Sequence, residues 1–325
     1  MNLLRRRLLG ASLIAATGPI VAQTNPYPSR PVTWVVPYPA GGFGDALSRL
    51  LAPRIATGLG QPVVVDNKPG AGGQIGAVYA KQQPADGYTV LYGDIGPLAM
   101  NAALYQKPGY DPLKDFVPVT RLMTTPTLLV VPASSRIATW ADLQKAAAAT
   151  GNGLSYGSYG PGSFPHVWVE MMKRQTGGKF THIPYKGAAP AVQDLIGGQI
   201  DMLVDVVANS MPLVKDGKLR AIAVIGSDKR LVGLPQVPTL AELGAPGLNT
   251  PGWTGVMVRQ GTPRAVIERL HQEIVKAVKA PEVERQYAEL GIAIAPMAPE
   301  EFGAFVQAET VRWGTVIKAA AITLD

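Results

Sequence analysis

Three glycine-rich stretches stand where this chain could grip an anion: Gly41-Gly42-Phe43-Gly44-Asp45, Gly70-Ala71-Gly72-Gly73, and the run from Gly157 to Ser163. Each lies just before a segment with helical spacing. The first N–H groups of a helix have no carbonyl to bond, and the helix dipole adds positive potential there. Glycine lets a ligand approach that backbone closely. Any one such turn reads first as a tight strand-to-helix connection. Three in corresponding positions favour a cleft for a carboxylate or phosphate. None continues as Gly-Lys-Ser/Thr and none spells G-x-G-x-x-G, so neither a P-loop nor a dinucleotide fingerprint is present.

The side chains around these turns are the next candidates. Phe43, Tyr159 and Tyr185 flank them and could line a pocket. Asp45 reads first as a cap or turn-ordering acid and second as a ligand contact. His166 follows the Gly-Ser loop by one helical turn, so it either reaches a ligand or holds the loop. His182 reads as structural. Gly153-Leu154-Ser155-Tyr156-Gly157 is a literal G-x-S-x-G. In a hydrolase that serine sits on a sharp elbow, whereas Ser155 falls inside an apolar strand pattern. Asp194, Asp201 or Asp205 followed by His271 gives the right chain order for a triad, so a secreted serine esterase stands as a minor alternative. His166, His182 and His271 show no metal-ligand spacing, and there is no cysteine, which excludes disulfides, thiol catalysis and zinc–thiolate sites. No cofactor or metal is expected.

The elements that must position these residues alternate. Val32–Val36, Pro62–Val65 and Tyr88–Tyr92 read as short strands. Helical patterns start near Asp45, with Leu47, Leu50, Leu51 and Ile55 on one face, and near Ile75. From Pro126 the pattern begins again, with strands at 127–131, 154–157, 201–205 and 221–225. Helices read at 140–150, through Val167 and Met172, and from Gly187 through Val192 and Ile196. Gly252–Val258 reads as a strand returning to the first unit, followed by amphipathic helices at 263–279 and 299–320. Such alternation predicts parallel sheets flanked by helices. Two such lobes place strand C-termini and helix N-termini around one cleft.

Composition bounds the rest. At 325 residues and 47% hydrophobic, the chain can bury two cores, and 16% charged residues leave little room for disordered tails. The net charge is +7; without Arg5, Arg6 and Arg7, 27 basic residues face 23 acidic ones. No basic run remains, so nucleic acid is a poor partner. Arg5-Arg6-Arg7, the apolar stretch Leu8–Val21 and Ile20-Val21-Ala22 read as a signal peptide over 1–22, exported by Sec rather than by the twin-arginine route. The expected location is the periplasm.

In order along the chain stand Pro37-Tyr38-Pro39-Ala40-Gly41-Gly42-Phe43-Gly44-Asp45, Asn67-Lys68-Pro69-Gly70-Ala71-Gly72-Gly73 and Asp86-Gly87-Tyr88-Thr89. After them come Tyr110-Asp111-Pro112, Gly157-Ser158 with Gly160–Ser163 and His166, Pro184-Tyr185-Lys186-Gly187, Lys218-Leu219-Arg220-Ala221, and Pro238-Thr239. This ordered set resembles the solute-binding proteins of tripartite tricarboxylate transporters, the Bug-type receptors. The resemblance implies a type II periplasmic-binding-protein fold: two α/β lobes, 23–124 plus 249–325 and 125–248, joined by crossing hinge strands around a ligand cleft. It implies no catalysis, a small organic carboxylate as ligand and membrane permease subunits as partners, with the receptor a monomer. A receptor that signals to a sensor protein is the alternative within this class. The family's ligand contacts, carried onto this chain, are Phe43, Gly44, Asp45, Ser158, Gly160, Gly162, Ser163 and His166, and after them Tyr185, Gly187 and Asp205. Within that set the loop Ser158–Ser163 is expected to be the stronger half of the carboxylate clamp. Ser158 and Ser163 would supply hydroxyl donors, and Gly162 would leave room for the ligand.

Overall fold

The computed structural model describes residues 27–149, 151 and 153–324. The proposed signal peptide lies outside them. Val32–Val36 (β1) is followed by the helix Phe43–Leu59 (α1), then Val63–Asn67 (β2), Gln74–Gln82 (α2) and Thr89–Asp94 (β3). A π-helical stretch, Gly96–Met100, runs into Asn101–Leu104 (α3), and Phe116–Thr125 (β4) completes the outward path. One residue, Pro126, separates β4 from Thr127–Pro132 (β5), which belongs to a second sheet.

That second unit continues with Trp140–Ala149 (α4), Leu154–Ser158 (β6), Phe164–Thr176 (α5), Phe180–Pro184 (β7) and Ala188–Ile196 (α6). Met202–Val206 (β8), Val207–Lys215 (α7) and Leu219–Ile225 (β9) close it. The chain then returns through Gly252–Arg259 (β10), Arg264–Val278 (α8), Pro281–Ala288 (α9), Ala293–Ile294 (β11) and Pro299–Ala319 (α10).

The first sheet has the order β11-β4-β10-β3-β1-β2 and the second β7-β6-β8-β5-β9. Neither is purely parallel, contrary to the reading from alternation. β1 pairs β2 and β3 in parallel, but β10 runs antiparallel to both β3 and β4. In the second sheet β5 is antiparallel to β8 and β9. The crossing strands cause this, because each enters its sheet from the other lobe rather than over a helix on the same face.

Strand alternation sorts the first core into two layers. Val32, Trp34 and Val36 face α1 and α8 with Leu47, Leu51 and Ile274, whereas Val35 and Leu91 face α2 and α10 with Ala77, Phe302 and Trp313. In the second lobe Tyr156, Met202 and Val204 pack with Trp168 of α5 and Leu143 of α4. The cores of the two lobes also touch. Phe164, at the start of α5, meets Trp313 of α10 edge-on with ring centroids 5.9 Å apart.

Candidate functional site

The first glycine-rich turn ends β1 and starts α1, with Gly42 as N-cap and no side chain capping it. The first intrahelical bond runs from Ala46 N–H to the Gly42 carbonyl at 3.0 Å. The N–H groups of Phe43, Gly44 and Asp45 therefore precede the helical ladder. Asp45 does not cap them. Its carboxylate turns back to accept the Gly41 N–H at 3.0 Å and the Arg49 Nε–H at 3.0 and 3.1 Å. It orders the turn, the first of its two readings. Beneath the turn the Trp34 Nε1–H donates to Ser48 Oγ, and Ser48 in turn donates to the Gly44 carbonyl at 2.6 Å. Gly44 sits on the Tyr92 ring so closely that a Cβ there would lie 2.7 Å from Cε1. The Phe43 ring packs edge-on to Tyr287 of α9, so its visible contact is within the first lobe.

The second-lobe loop is built differently. Its Gly160 carbonyl accepts the Ser158 hydroxyl at 3.0 Å, the Ser163 hydroxyl at 2.7 Å and the Ser163 N–H at 3.2 Å. The Gly162 N–H donates to His166 Nδ1 at 3.0 Å. The His166 side chain thus holds the loop. Ser158 is fully buried and its Oγ stands 2.6 Å from His182 Nε2. The two imidazoles stack with centroids 4.0 Å apart, and Tyr156 stacks on the far side of His182. Burial pushes both histidines down, His182 to about 4.

The geometry bears on two expectations about this loop. The hydroxyls of Ser158 and Ser163 are already donated to the Gly160 carbonyl, which has three donors on one oxygen. The space beside Gly162 belongs to the first lobe: a Cβ there would lie 2.7 Å from Leu324 Cδ1 and 3.1 Å from Leu104 Cδ1. At the start of α5 the first ladder bond runs from Val167 N–H to the Ser163 carbonyl. The N–H groups of Phe164 and His166 come before it.

The two lobes approach each other on either side of these helix starts. A Cβ on Gly187 would stand 3.7 Å from the Pro39 ring, and one on Gly72 would stand 3.4 Å from the Pro161 carbonyl. Tyr185 flanks the cleft with its hydroxyl donated to Asp194 at 2.8 Å. Asp205 does not open onto the cleft. It is fully buried and accepts from the hydroxyls of Tyr159 and Ser210, the Asn209 amide at 3.0 Å and the Val206 N–H at 2.9 Å. Its role is to fix Tyr159 and Asn209. Burial pushes its carboxyl up, and the four donors act against that.

Sequence reasoning missed Tyr38 and Asp94. The Tyr38 hydroxyl donates to Asp94 Oδ1 at 2.7 Å, and Gly96 N–H donates to the same oxygen at 2.9 Å. An acid as the last residue of a strand that ends at the cleft was the available signal. The esterase alternative loses its geometry. Ser155 donates to Asp201 Oδ2 at 2.6 Å, and His271 Nδ1 is 2.9 Å from the Val119 carbonyl in the other lobe.

Volume points elsewhere than chemistry does. A cavity of about 670 Å³ on the second lobe is lined by Trp140, Val214, Arg220 and Val237. The Arg220 guanidinium there donates to the carbonyls of Ala133, Ser135 and Ile137, so it is engaged with backbone. Among the described residues no helix is long and apolar enough to cross a membrane, and no group of three or more His, Asp or Glu side chains is placed to hold a metal.

Residues 47–322 match the family model described as tripartite tricarboxylate transporter family receptor. The chain belongs to that family. A Pseudomonas sp. strain P51 relative, a UPF0065 protein from the tcbD-tcbE intergenic region, is 40% identical over 97% of this chain and 94% of its own. Among solved structures, R. palustris Rpa4515 with adipate superposes with a TM-score of 0.86 at 37% identity, over 92% of this chain and all of its own. MatC from Rhodopseudomonas palustris with bound malate gives 0.84 at 31% identity, over 90% of this chain and all of its own. The two-lobed fold is that of the periplasmic binding proteins.

Proposed function

We infer that this receptor captures a small organic carboxylate between its lobes in the periplasm and hands it to the membrane permease of a tripartite transporter. The observation that carries this reading is the pair of uncapped helix starts, Phe43–Asp45 and Phe164–His166, on opposite lobes of one cleft. Both present backbone N–H groups and the positive end of a helix. The adipate and malate of the two structural relatives support the same ligand class. Gly44, Phe43 and Asp45 would serve through their N–H groups, as would His166. Gly160, Gly162, Ser158 and Ser163 would shape the wall, and Tyr185 and Gly187 would border it. Export through the Sec route would follow from the basic and apolar N-terminal stretch.

Ligand binding to the closed arrangement would shift the equilibrium between open and closed lobes. Thermal unfolding against a panel of mono-, di- and tricarboxylates tests the reading. A ligand at a hundred times its Kd should add about 2.7 kcal/mol of stability. A shift with sugars or cations and none with any carboxylate would overturn it.

A further inference from the structure

The cleft floor carries an acid that no clamp for a carboxylate requires. Asp94 is the last residue of β3 and lies on the same face as Tyr92, the residue under Gly44. Two strand residues span about 7 Å. Asp94 therefore stands about that far beyond Tyr92, at the C-terminal end of the strand. Burial first, and the carboxylates of Asp205 and Asp94 after it, push the second-lobe Tyr159 hydroxyl up. Tyr38 and Gly96 both donate to Oδ1, and besides Asp94's own N–H no other described residue donates to the carboxylate. The groups that close around it are Tyr38, Tyr92, Gly96 and Tyr159, with Thr254 its direct partner across the β3–β10 ladder. None is cationic.

We propose that Asp94 sets the ligand class: the cleft takes a carboxylate whose far end offers a hydroxyl donor to Asp94 Oδ2, and it discriminates against a second ionised carboxylate at that end. This rests on the carboxylate-receptor reading and narrows it. A hydroxyl gives the free oxygen of a fixed carboxylate the donor it lacks, and such a site rejects ligands that leave it unpaired. A second carboxylate places like charges together in a partly buried space with no cation to offset them. Repulsion against the wrong ligand and a bond to the right one act in the same direction.

Titration calorimetry with chain-matched sets tests this: 4-hydroxybutyrate, succinate and butyrate; 6-hydroxyhexanoate, adipate and hexanoate; 4-hydroxybenzoate, terephthalate and benzoate. In the set that fits the cleft, the hydroxy acid should bind at least about tenfold tighter than both the diacid and the unsubstituted acid. Asp94→Asn keeps an oxygen for Tyr38 and Gly96 but removes the charge, so the preference over the diacid should shrink by about tenfold. A wild-type diacid that binds as tightly as its hydroxy partner overturns the proposal and leaves the carboxylate receptor standing. An Asp94→Asn protein with the wild-type ratio also overturns it. If none of the nine acids binds while another carboxylate of the wider panel does, the proposal falls and the receptor reading stands. The wild-type ratio is informative even if the variant fails to fold.

Discussion

The first-lobe turn and the second-lobe loop share one sequence pattern, a glycine-rich run before a helix, yet they are different devices. At Gly41–Asp45 one acidic side chain draws a single N–H and an arginine to itself, leaving three helix-start N–H groups with no partner in the ladder. At Ser158–Ser163 the polar groups are turned inward, with three donors on the Gly160 carbonyl and His166 on the Gly162 N–H. The first is an open donor set. The second is a braced wall that presents only the start of α5. The internal bonds of the second loop argue against its being the stronger half of a clamp: glycine content shows where backbone can be approached, but not whether its hydrogen bonds are already engaged.

The strongest way to break this comparison is Gly162→Val. A wall should fail as structure, whereas a ligand clamp should fail as affinity. Gly162 has φ +77°, and an added Cβ would lie 2.7 Å from Leu324 and 3.1 Å from Leu104. The left-handed backbone and the overpacking together should cost about 2–4 kcal/mol. Apo melting followed by circular dichroism should show the fall, and calorimetry on the folded fraction should show affinity closer to wild type than stability is. Wild-type melting with lost affinity would restore the loop as the clamp.

Asp205→Ala comes next. The carboxylate beneath the second-lobe loop holds Tyr159, Ser210, Asn209 and Val206. Its removal leaves buried donors without an acceptor, at a cost of about 3 kcal/mol in urea unfolding. Asp205→Asn should recover part of that, because its amide oxygen still accepts. An unchanged midpoint for Asp205→Ala would show that the hub does not support the wall.

Much of this was legible in the sequence, for identifiable reasons. The strand–glycine–helix units at Val32–Leu59 and Leu154–Thr176 could be read because apolar runs alternate with turns. β4 was not read as a strand, since Phe116–Thr125 mixes Pro118 and Arg121 into a path that crosses between lobes. α7 was also missed. It follows β8 with no turn residue between Val206 and Val207, so the strand pattern runs on. At the site, the helix starts were legible, whereas Tyr38–Asp94 joins residues 56 apart and only folding brings them together.

Acid should separate the two devices by order. His182 falls from 6.5 in the unfolded chain to about 4 in the fold, chiefly by burial and next by the charge of His166. A base with a lowered folded value gives stability that is whole above the unfolded value and is lost as pH falls through the folded one. The groups around the stacked pair are Ser158, Tyr156, Glu170 and Lys173. Apo melting temperature should therefore drop from about pH 6.5 to about pH 4, and less steeply in His182→Asn. Parallel curves for the two proteins would exclude the stacked pair as the cause.

The smallest effect should come from the first lobe. Burial pushes the Asp45 carboxyl up, but hydrogen bonds from Arg49, Gly41 and Asn67 outweigh it and hold the group below the ordinary 3.8. For an acid with a lowered folded value, stability is present above the unfolded value and is lost as pH falls through the folded one. Its window therefore lies below that of His182, so the wall should weaken before the donor turn does. Arg49 is 55% exposed, so the ion pair itself is worth about 0.5 kcal/mol. Asp45→Asn should lower stability at pH 7 by about that amount, keep an oxygen for Gly41, and flatten the melting curve below pH 4 while leaving the higher window intact. If Asp45→Asn instead abolished carboxylate binding at pH 7 with normal melting, Asp45 would be a ligand contact, and the first-lobe turn would be more than a set of free N–H groups.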